Sequence, residues 1–169
     1  MKTDATSPLL VLGLGNLLLE DDAVGLELLA RVRARCRDPR VEFVDGGTQG
    51  IALGAHFAGR RAALLLDAVR LGAAPGTVHR LREPASAAPP RGDSAHGANA
   101  GELLATVTLV GDLPPFVEVL GIEPGSTRTG IGLSPNVRRA LRAAVAAAEH
   151  AIAELLAHTV EPSPCPKPT

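Results

Sequence analysis

Short apolar runs alternate with amphipathic helical patterns along most of this chain, and this alternation constrains the fold more than any other feature. Apolar runs bounded by turn residues predict strands buried by layers on both faces. We therefore predict an α/β fold, a three-layer sandwich in which a mostly parallel, twisted sheet of about five strands carries helices on both faces. The predicted strands are LLVLGLG (9–15), VEFVD (41–45), AALLLDAV (62–69), GTVHRL (76–81) and FVEVLGIEP (116–124), of which the polar GTVHRL suits an edge.

Helical patterns occupy the intervals between these strands. The first runs from Asp22 to about Cys36, with acids at its start and arginines at its end, as the helix dipole favours. A short helix follows the second strand, and a further helix precedes the last strand. The closing helix is long and begins at Ser134 and Pro135.

The length and composition of the chain fit one globular domain. It has 169 residues, of which 46% are apolar, enough to form a core. Residues 83–95 are rich in Pro, Ala, Ser and Gly and show no periodicity, so we expect a mobile loop there and not a linker between domains. We place one α/β domain over residues 1–159 and predict that the Pro-rich tail, residues 160–169, is disordered.

Composition also argues against several classes of function. Lys and Arg number 17 against 18 acids, so the net charge of -1 offers no attraction to nucleic acid or to an anionic membrane. The apolar run near the amino terminus spans only about seven residues, too short for a signal sequence or a membrane span. Cys36 and Cys165 lack the spacing of a disulfide framework or a zinc site. We therefore expect a cytoplasmic protein with no nucleic-acid or membrane partner.

The loop after the first strand has the glycines of a dinucleotide-binding turn but the wrong charges for one. Gly13 and Gly15 match the first two glycines of the GxGxxG pattern, and Asp45 stands where an acid would bind a ribose. The third glycine position is occupied by Leu18, and the three acids at positions 20–22 would repel a pyrophosphate. We therefore expect no organic cofactor, and the loop suits a cation instead.

Two acids and one histidine are predicted to gather where the strands end. Ligands of parallel sheets bind beyond the carboxyl ends of the strands, and Asp22, Asp67 and His96 follow the first, third and fourth strands. Carboxylate and imidazole ligands suit a metal ion of intermediate hardness and leave positions open for water or substrate. Each residue also has an ordinary structural alternative: Asp22 can cap a helix, Asp67 can brace the loop after its strand, and His96 can be a solvated loop residue.

Five sequence blocks, taken in order and spacing, resemble the nickel-iron hydrogenase maturation endopeptidases. They are VLGLGNLLLEDDAVG, VDGGTQG, LLLDAV, SAH and GIEPGSTRTGIGLSPNV, and they span residues 9–139. The GLGN opening also occurs in peptidyl-tRNA hydrolases, so the resemblance depends on the ordered set. Two residues depart from the family pattern, which commonly has Gly where Ala23 stands and Pro where Ala95 stands.

This resemblance implies an enzyme that removes a carboxy-terminal extension from the precursor of a hydrogenase large subunit after nickel insertion. The nickel would be carried by the precursor and would anchor it, so that a precursor without nickel is not cut. Either the metal or one carboxylate would activate the hydrolytic water. By the same resemblance, Asp22, Asp67 and His96 contact the nickel, Asp22 and Asp67 are catalytic, and Asp45, Gly46, Gly47 and Thr48 help to place the tail of the precursor.

Three other interpretations stay open at the level of the sequence. A peptidyl-tRNA hydrolase-like enzyme would use Asn16, an acid and a His, but it needs a basic surface that a net charge of -1 does not provide. A nickel-carrying or scaffold protein would use the same three ligands without cutting anything. A family-like protein that has lost activity would show departures such as Ala23. The test that separates them is whether an incubated precursor becomes shorter.

Overall fold

A five-stranded, mostly parallel sheet forms the centre of the protein. The computed structural model describes residues 7–82 and 100–159. The spatial order of the strands is β2-β1-β3-β5-β4, in which β4 alone runs antiparallel to its neighbour and lies at an edge. The predicted mostly parallel sheet is confirmed, including the edge position of its polar strand. The strands are β1 (Leu9–Leu14), β2 (Val41–Gly47), β3 (Ala62–Ala68), β4 (Val78–Arg82) and β5 (Phe116–Ile122).

Helices cover both faces of this sheet, which confirms the three-layer sandwich. The long helices α1 and α3 pack on one face, and α2 packs on the other face together with a 3-10 helix. No helix within the two described ranges is long and apolar enough to cross a membrane. The α-helices are α1 (Val24–Arg35), α2 (Ala100–Val110) and α3 (Pro135–Thr159), and the 3-10 helices span Glu20–Ala23 and Gly50–Phe57.

Two parts of the predicted organisation lie outside the described residues. These are the proposed mobile loop at residues 83–95 and the proposed disordered tail at residues 160–169. Both stay predictions, as does the placing of the domain boundary at residue 159. Cys36 is a free, half-buried cysteine, while Cys165 belongs to the undescribed tail.

Strand β1 is buried on both faces. Leu9 and Val11 contact the layer formed by α1 and α3, while Leu10 and Leu12 contact the opposite layer. All four side chains are 0% exposed. Such a strand is apolar at every position and does not alternate with polar residues, which is why its sequence reads as a continuous apolar run.

Two glycines allow α1 to lie directly against the ends of the strands. A Cβ atom on Gly25 would lie 2.3 Å from the carbonyl oxygens of both Leu14 and Leu66. Gly15 has a φ of +136°, and a Cβ atom there would lie 2.0 Å from the carbonyl oxygen of Asp22. The glycines that resemble a dinucleotide-binding turn are therefore needed because two backbone segments approach each other too closely for a side chain.

The first α-helix begins two residues later than the sequence indicates. Residues 20–23 form a 3-10 turn, and Ala23, not Asp22, occupies the position that caps α1. The alternative in which Asp22 caps this helix is therefore wrong. Its Oδ2 atom instead accepts a hydrogen bond from the backbone N–H of Asn16 at 2.8 Å, which closes the loop after β1.

Candidate active site

The predicted site residues that the structure describes lie at one edge of the sheet. The carboxyl ends of β1, β2, β3 and β5 meet there, and we name it the carboxyl edge. Asp67 is the penultimate residue of β3, Asp22 lies in the turn after β1, and the block from Asp45 to Thr48 ends β2. His96 lies outside the described residues, so its place in the site stays a prediction.

Asp67 is buried and hydrogen-bonded to backbone on two sides. Its side chain belongs to a residue only 5% exposed. Oδ1 accepts the N–H of Ala68 at 2.8 Å, and Oδ2 accepts the N–H of Ala100, the first residue of α2, at 2.9 Å. Asp67 therefore does brace the structure after its strand, because it joins β3 to the start of α2. This structural role is compatible with a role in catalysis, because a carboxylate can accept more hydrogen bonds than these two.

The environment of Asp67 also disfavours its ionised form. Burial raises the pKa of Asp67 to about 7, even though the hydrogen bonds from Ala100 and Ala68 act in the opposite direction. The negative charge of Asp22 raises this pKa further, so the two carboxylates lie close enough to repel each other. A cation placed beside such a pair relieves the repulsion and stabilises both charges.

Asp22 and Asp67 therefore form an anionic pair at the carboxyl edge. Asp22 is half-buried, so the pair is accessible from one side. Two such carboxylates can bind a cation or orient and deprotonate a water molecule. Within residues 7–82 and 100–159, no cluster of three or more His, Cys, Asp or Glu side chains is arranged to hold a metal ion, and the third predicted ligand, His96, lies outside these ranges.

The block from Asp45 to Thr48 lies beside the loop that carries Asp22. Gly15 N–H donates a hydrogen bond to the carbonyl of Gly47 at 3.1 Å, which ties the two loops together. Asp45 Oδ1 accepts the N–H of Gly47 at 3.1 Å and so stabilises the turn. The block is thus rigidly positioned next to the anionic pair. Within it Gly46 is buried, Gly47 is half-buried, and Asp45 and Thr48 are exposed.

Asp21 is a residue of this site that the sequence did not single out. Its side chain is 0% exposed. One carboxylate oxygen accepts the N–H of Ser134 at 2.6 Å, and the other accepts the Ser134 hydroxyl at 2.8 Å. The second oxygen also accepts the N–H groups of Gly125 at 2.8 Å and Ser126 at 3.1 Å. Asp21 therefore fastens the turn that carries Asp22 to the loop after β5.

Glu123 fixes the loop that follows Asp67 in a similar way. It is 4% exposed, and its carboxylate accepts the N–H groups of Leu71 and Gly72 at 2.9–3.1 Å. His79 Nε2 on β4 lies 3.0 Å from the same carboxylate. A signal for both missed acids was present in the GIEPGSTRTGIGLSPNV block, which contains Glu123 and the partners of Asp21. The sequence pattern gave no role to these residues because it does not show which groups are buried together.

Comparison with known proteins agrees with this geometry. The family model described as hydrogenase maturation protease matches residues 26–151, a range that contains β3 and begins shortly after the turn of Asp22. The chain is similar to the hydrogenase 2 maturation protease of Escherichia coli (strain K12), with 34% identity over 92% of this chain and 95% of that protein. It is also similar to the hydrogenase expression/formation protein HoxM of Azotobacter vinelandii, with 35% identity over 90% of this chain and 82% of that protein.

Solved structures show the same likeness in three dimensions. The hydrogenase maturating endopeptidase HybD from E. coli superposes with a TM-score of 0.76 and 32% identity, over 86% of this chain and 92% of that one. A second structure, described as an endopeptidase from Escherichia coli, superposes with a TM-score of 0.74 and 31% identity. Sequence and fold thus agree over most of the chain, which belongs to the hydrogenase maturation protease family and is a hydrolase of the endopeptidase type.

Proposed function

We propose that this protein removes a carboxy-terminal extension from the precursor of a nickel-iron hydrogenase large subunit, after nickel has been inserted into that precursor. The observation that carries the proposal is the placement of two acids, Asp22 in the turn after β1 and Asp67 at the end of β3, at the carboxyl edge of a sheet in a maturation protease. An anionic pair of this kind gives a bound cation on the substrate a place to dock.

In this proposal the nickel is part of the substrate and serves as its recognition element. Asp22, Asp67 and His96 contact the metal, since carboxylate oxygen and imidazole nitrogen suit an ion of intermediate hardness. Docking the metal there holds the scissile peptide near the two carboxylates, which lowers the entropic cost of reaching the transition state. A precursor without nickel lacks the anchor, so cleavage also checks that the metal has been inserted.

The residues of this chain contribute to hydrolysis by holding and activating water. Asp22 or Asp67 acts as a general base on the attacking water, or the metal of the substrate supplies Lewis acid chemistry. A cation between the carboxylates favours the ionised form of Asp67, which is the form that a base requires. The tail of the precursor lies along the exposed Asp45 and Thr48, because the bond between Gly15 and Gly47 keeps their loop beside the site.

The test of this function uses two forms of one precursor. The purified protein is incubated with nickel-loaded and with nickel-free large-subunit precursor from the same source, and intact mass is followed over time. We expect loss of a carboxy-terminal peptide from the loaded form alone. Equal cleavage of both forms would overturn nickel recognition, and transfer of metal without shortening would identify a non-catalytic accessory protein.

Replacing Asp67 with Asn should abolish processing while the fold is retained. The amide keeps the shape of the side chain but removes the charge, so the rate of precursor cleavage should fall by about 100-fold or more. Loss of one acceptor for Ala68 or Ala100 is offset by removal of a charge that burial and Asp22 disfavour, so the free energy of unfolding at pH 7 should not fall. Asp112→Asn, a change at an exposed acid beyond α2, is the matched control and should leave both quantities unchanged. Normal processing by Asp67→Asn would rule out a catalytic or metal-binding role for Asp67.

A further inference from the structure

Among the large apolar side chains that are exposed near the candidate site, three lie on the loop after β1 and the loop after β5. Leu17 is 61% exposed, Leu18 is 60% exposed and Ile131 is 88% exposed. Single apolar residues on a protein surface are ordinary, but several together at one place mark an interaction surface. We name these three residues the apolar rim.

The backbone holds the two loops of the apolar rim side by side. Gly130 N–H donates to the carbonyl of Leu18 at 2.9 Å, and Glu20 N–H donates to the carbonyl of Gly130 at 2.9 Å. The residue paired with Gly130 is Leu19, so Leu18 directly precedes one partner and Ile131 directly follows the other. The rim is therefore a single surface formed by two distant segments of the chain.

The apolar rim is also held in one conformation. Glu20 has a φ of +43°, the one positive φ of a non-glycine residue in the described part of the chain. Such a backbone persists only where its surroundings fix it. A Cβ atom on Gly130 would lie 2.9 Å from Cγ of Glu20, so the glycine allows the side chain of Glu20 to pack against the neighbouring loop. A surface ordered in advance loses little entropy when a partner binds.

The backbone connects the apolar rim to the candidate site. Leu18 precedes Asp22 by four positions, and both belong to the segment that is joined to the loop after β5. Asp21, between them, makes its buried contacts to the same loop. Asp22 Oδ2 also accepts the N–H of Asn16, the residue before Leu17, at 2.8 Å, so a precursor bound at Asp22 lies close to the loop that carries the rim.

We propose that the apolar rim is a docking surface for an apolar patch on the hydrogenase large-subunit precursor. This inference rests on the proposed function, since it assigns a second contact to the same substrate. The metal then positions the scissile bond at the carboxylates, while the rim supplies affinity for the body of the precursor through burial of apolar surface. Loss of the rim should weaken binding of the precursor and leave the chemical step intact.

The chain offers a matched pair of variants for the test. Ile131 and Leu109 are both 88% exposed, but Leu109 lies near the carboxyl end of α2, about 14 Å along the helix axis from Ala100 at the carboxyl edge. In Ile131→Asp, the KM for nickel-loaded precursor should rise about tenfold with little change in kcat, as for the loss of one interface hot spot. Leu109→Asp should leave both constants within about twofold of the wild-type values. Leu18→Asp serves as a second variant, and thermal unfolding confirms that each protein is folded.

Binding measured separately from cleavage distinguishes failure of this inference from failure of the proposed function. If the wild type cuts the precursor and both rim variants cut it with unchanged KM, the rim inference is overturned and the protease function stands. If the wild type binds the precursor without cutting it and Ile131→Asp binds about tenfold more weakly, the docking role of the rim is supported and the proposed cleavage of the precursor is overturned. A dimer of the protein, or binding to lipid vesicles, that is lost in Ile131→Asp while precursor binding is unchanged would overturn the inference by assigning the rim to another occupant.

Discussion

At the scale of residues, three acids that follow one another in sequence have three different environments. Glu20 adopts a φ of +43°, Asp21 is fully buried, and Asp22 is half-buried beside Asp67. Burial by itself would raise the pKa of Asp21, but hydrogen bonds, led by those from Ser134, lower it below its ordinary value. Asp21 is therefore a buried anion that stabilises the structure, whereas Asp22 is half-buried and closes the loop after β1 through its hydrogen bond with Asn16.

Replacing Asp21 with Asn should destabilise the protein by about 2 kcal/mol or more, because an amide NH₂ would then face buried donors. Ser134→Ala removes one hydroxyl donor and leaves the backbone donors paired, so it should cost about 1 kcal/mol. Urea unfolding measures both values. Equal stability of Asp21→Asn and the wild type would show that the charge of Asp21 adds nothing to its four hydrogen bonds with Gly125, Ser126 and Ser134.

The carboxylate of Glu123 should make stability depend on pH. Burial opposes its ionisation, but hydrogen bonds from Leu71, His79 and Gly72 outweigh this effect and lower the pKa of Glu123 below its ordinary value of 4.5. Its contribution to stability is therefore fully present above pH 4.5 and is lost as the pH falls through the lowered pKa. We expect Glu123→Gln to be less stable than the wild type at pH 7 by about 1–3 kcal/mol.

Urea unfolding of both proteins at decreasing pH tests this dependence. The difference in stability between the wild type and Glu123→Gln should shrink as the pH falls below 4.5, because the carboxylate of the unfolded chain is then protonated while the native one is still charged, and it should reach its minimum below the lowered pKa of Glu123. A difference that is constant across this range would show that the charge of Glu123 is not what stabilises the loop after β3.

At the scale of elements, most strands and helices were recognisable because packing supports their local patterns. β1 and β3 are buried on both faces and read as apolar runs, while α1 has a buried face and an exposed face. The start of α1 was predicted less well, since a 3-10 turn precedes it. That turn is held by contacts with the distant loop after β5, which no local pattern reports.

Gly25→Ala should disrupt the packing of α1 on the sheet. The added methyl group would lie 2.3 Å from two carbonyl oxygens, so the helix has to shift away from β1 and β3. We expect a loss of about 3 kcal/mol in the free energy of unfolding. Gly54→Ala is the control, because its nearest neighbour is 4.0 Å away, at Val107 Cγ2. Similar stability for the two alanine variants in urea unfolding would contradict the close contact of α1 with the strands.

At the scale of the whole molecule, the sheet order brings the site together. β1 lies between β2 and β3, and all three run parallel, so the acid-bearing loops after them leave from the same edge. The loop after β5 reaches the turn after β1 across this edge and supplies the partners of Asp21. The anionic pair and the apolar rim are both products of this arrangement.

The low net charge of the whole chain should make precursor processing insensitive to salt. With 17 basic and 18 acidic residues, long-range attraction to a charged partner is weak. An apolar docking surface is also not screened by ions. The kcat/KM for nickel-loaded precursor should therefore change by less than about threefold between roughly 50 and 200 mM salt. A tenfold fall over this range would indicate that charged groups, and not the apolar rim, dominate docking.

The sequence by itself determined the fold class and the order of the elements, because both are encoded locally, while the roles of Asp22 and Asp67 stay predictions. Apolar runs mark buried strands, and Asp22 and Asp67 stand where parallel strands end. Only the tertiary structure decided which neighbouring acid is buried and which faces the site. The physical reason is that Asp21 finds its partners 104–113 residues away, on a loop that becomes its neighbour only when the sheet has formed.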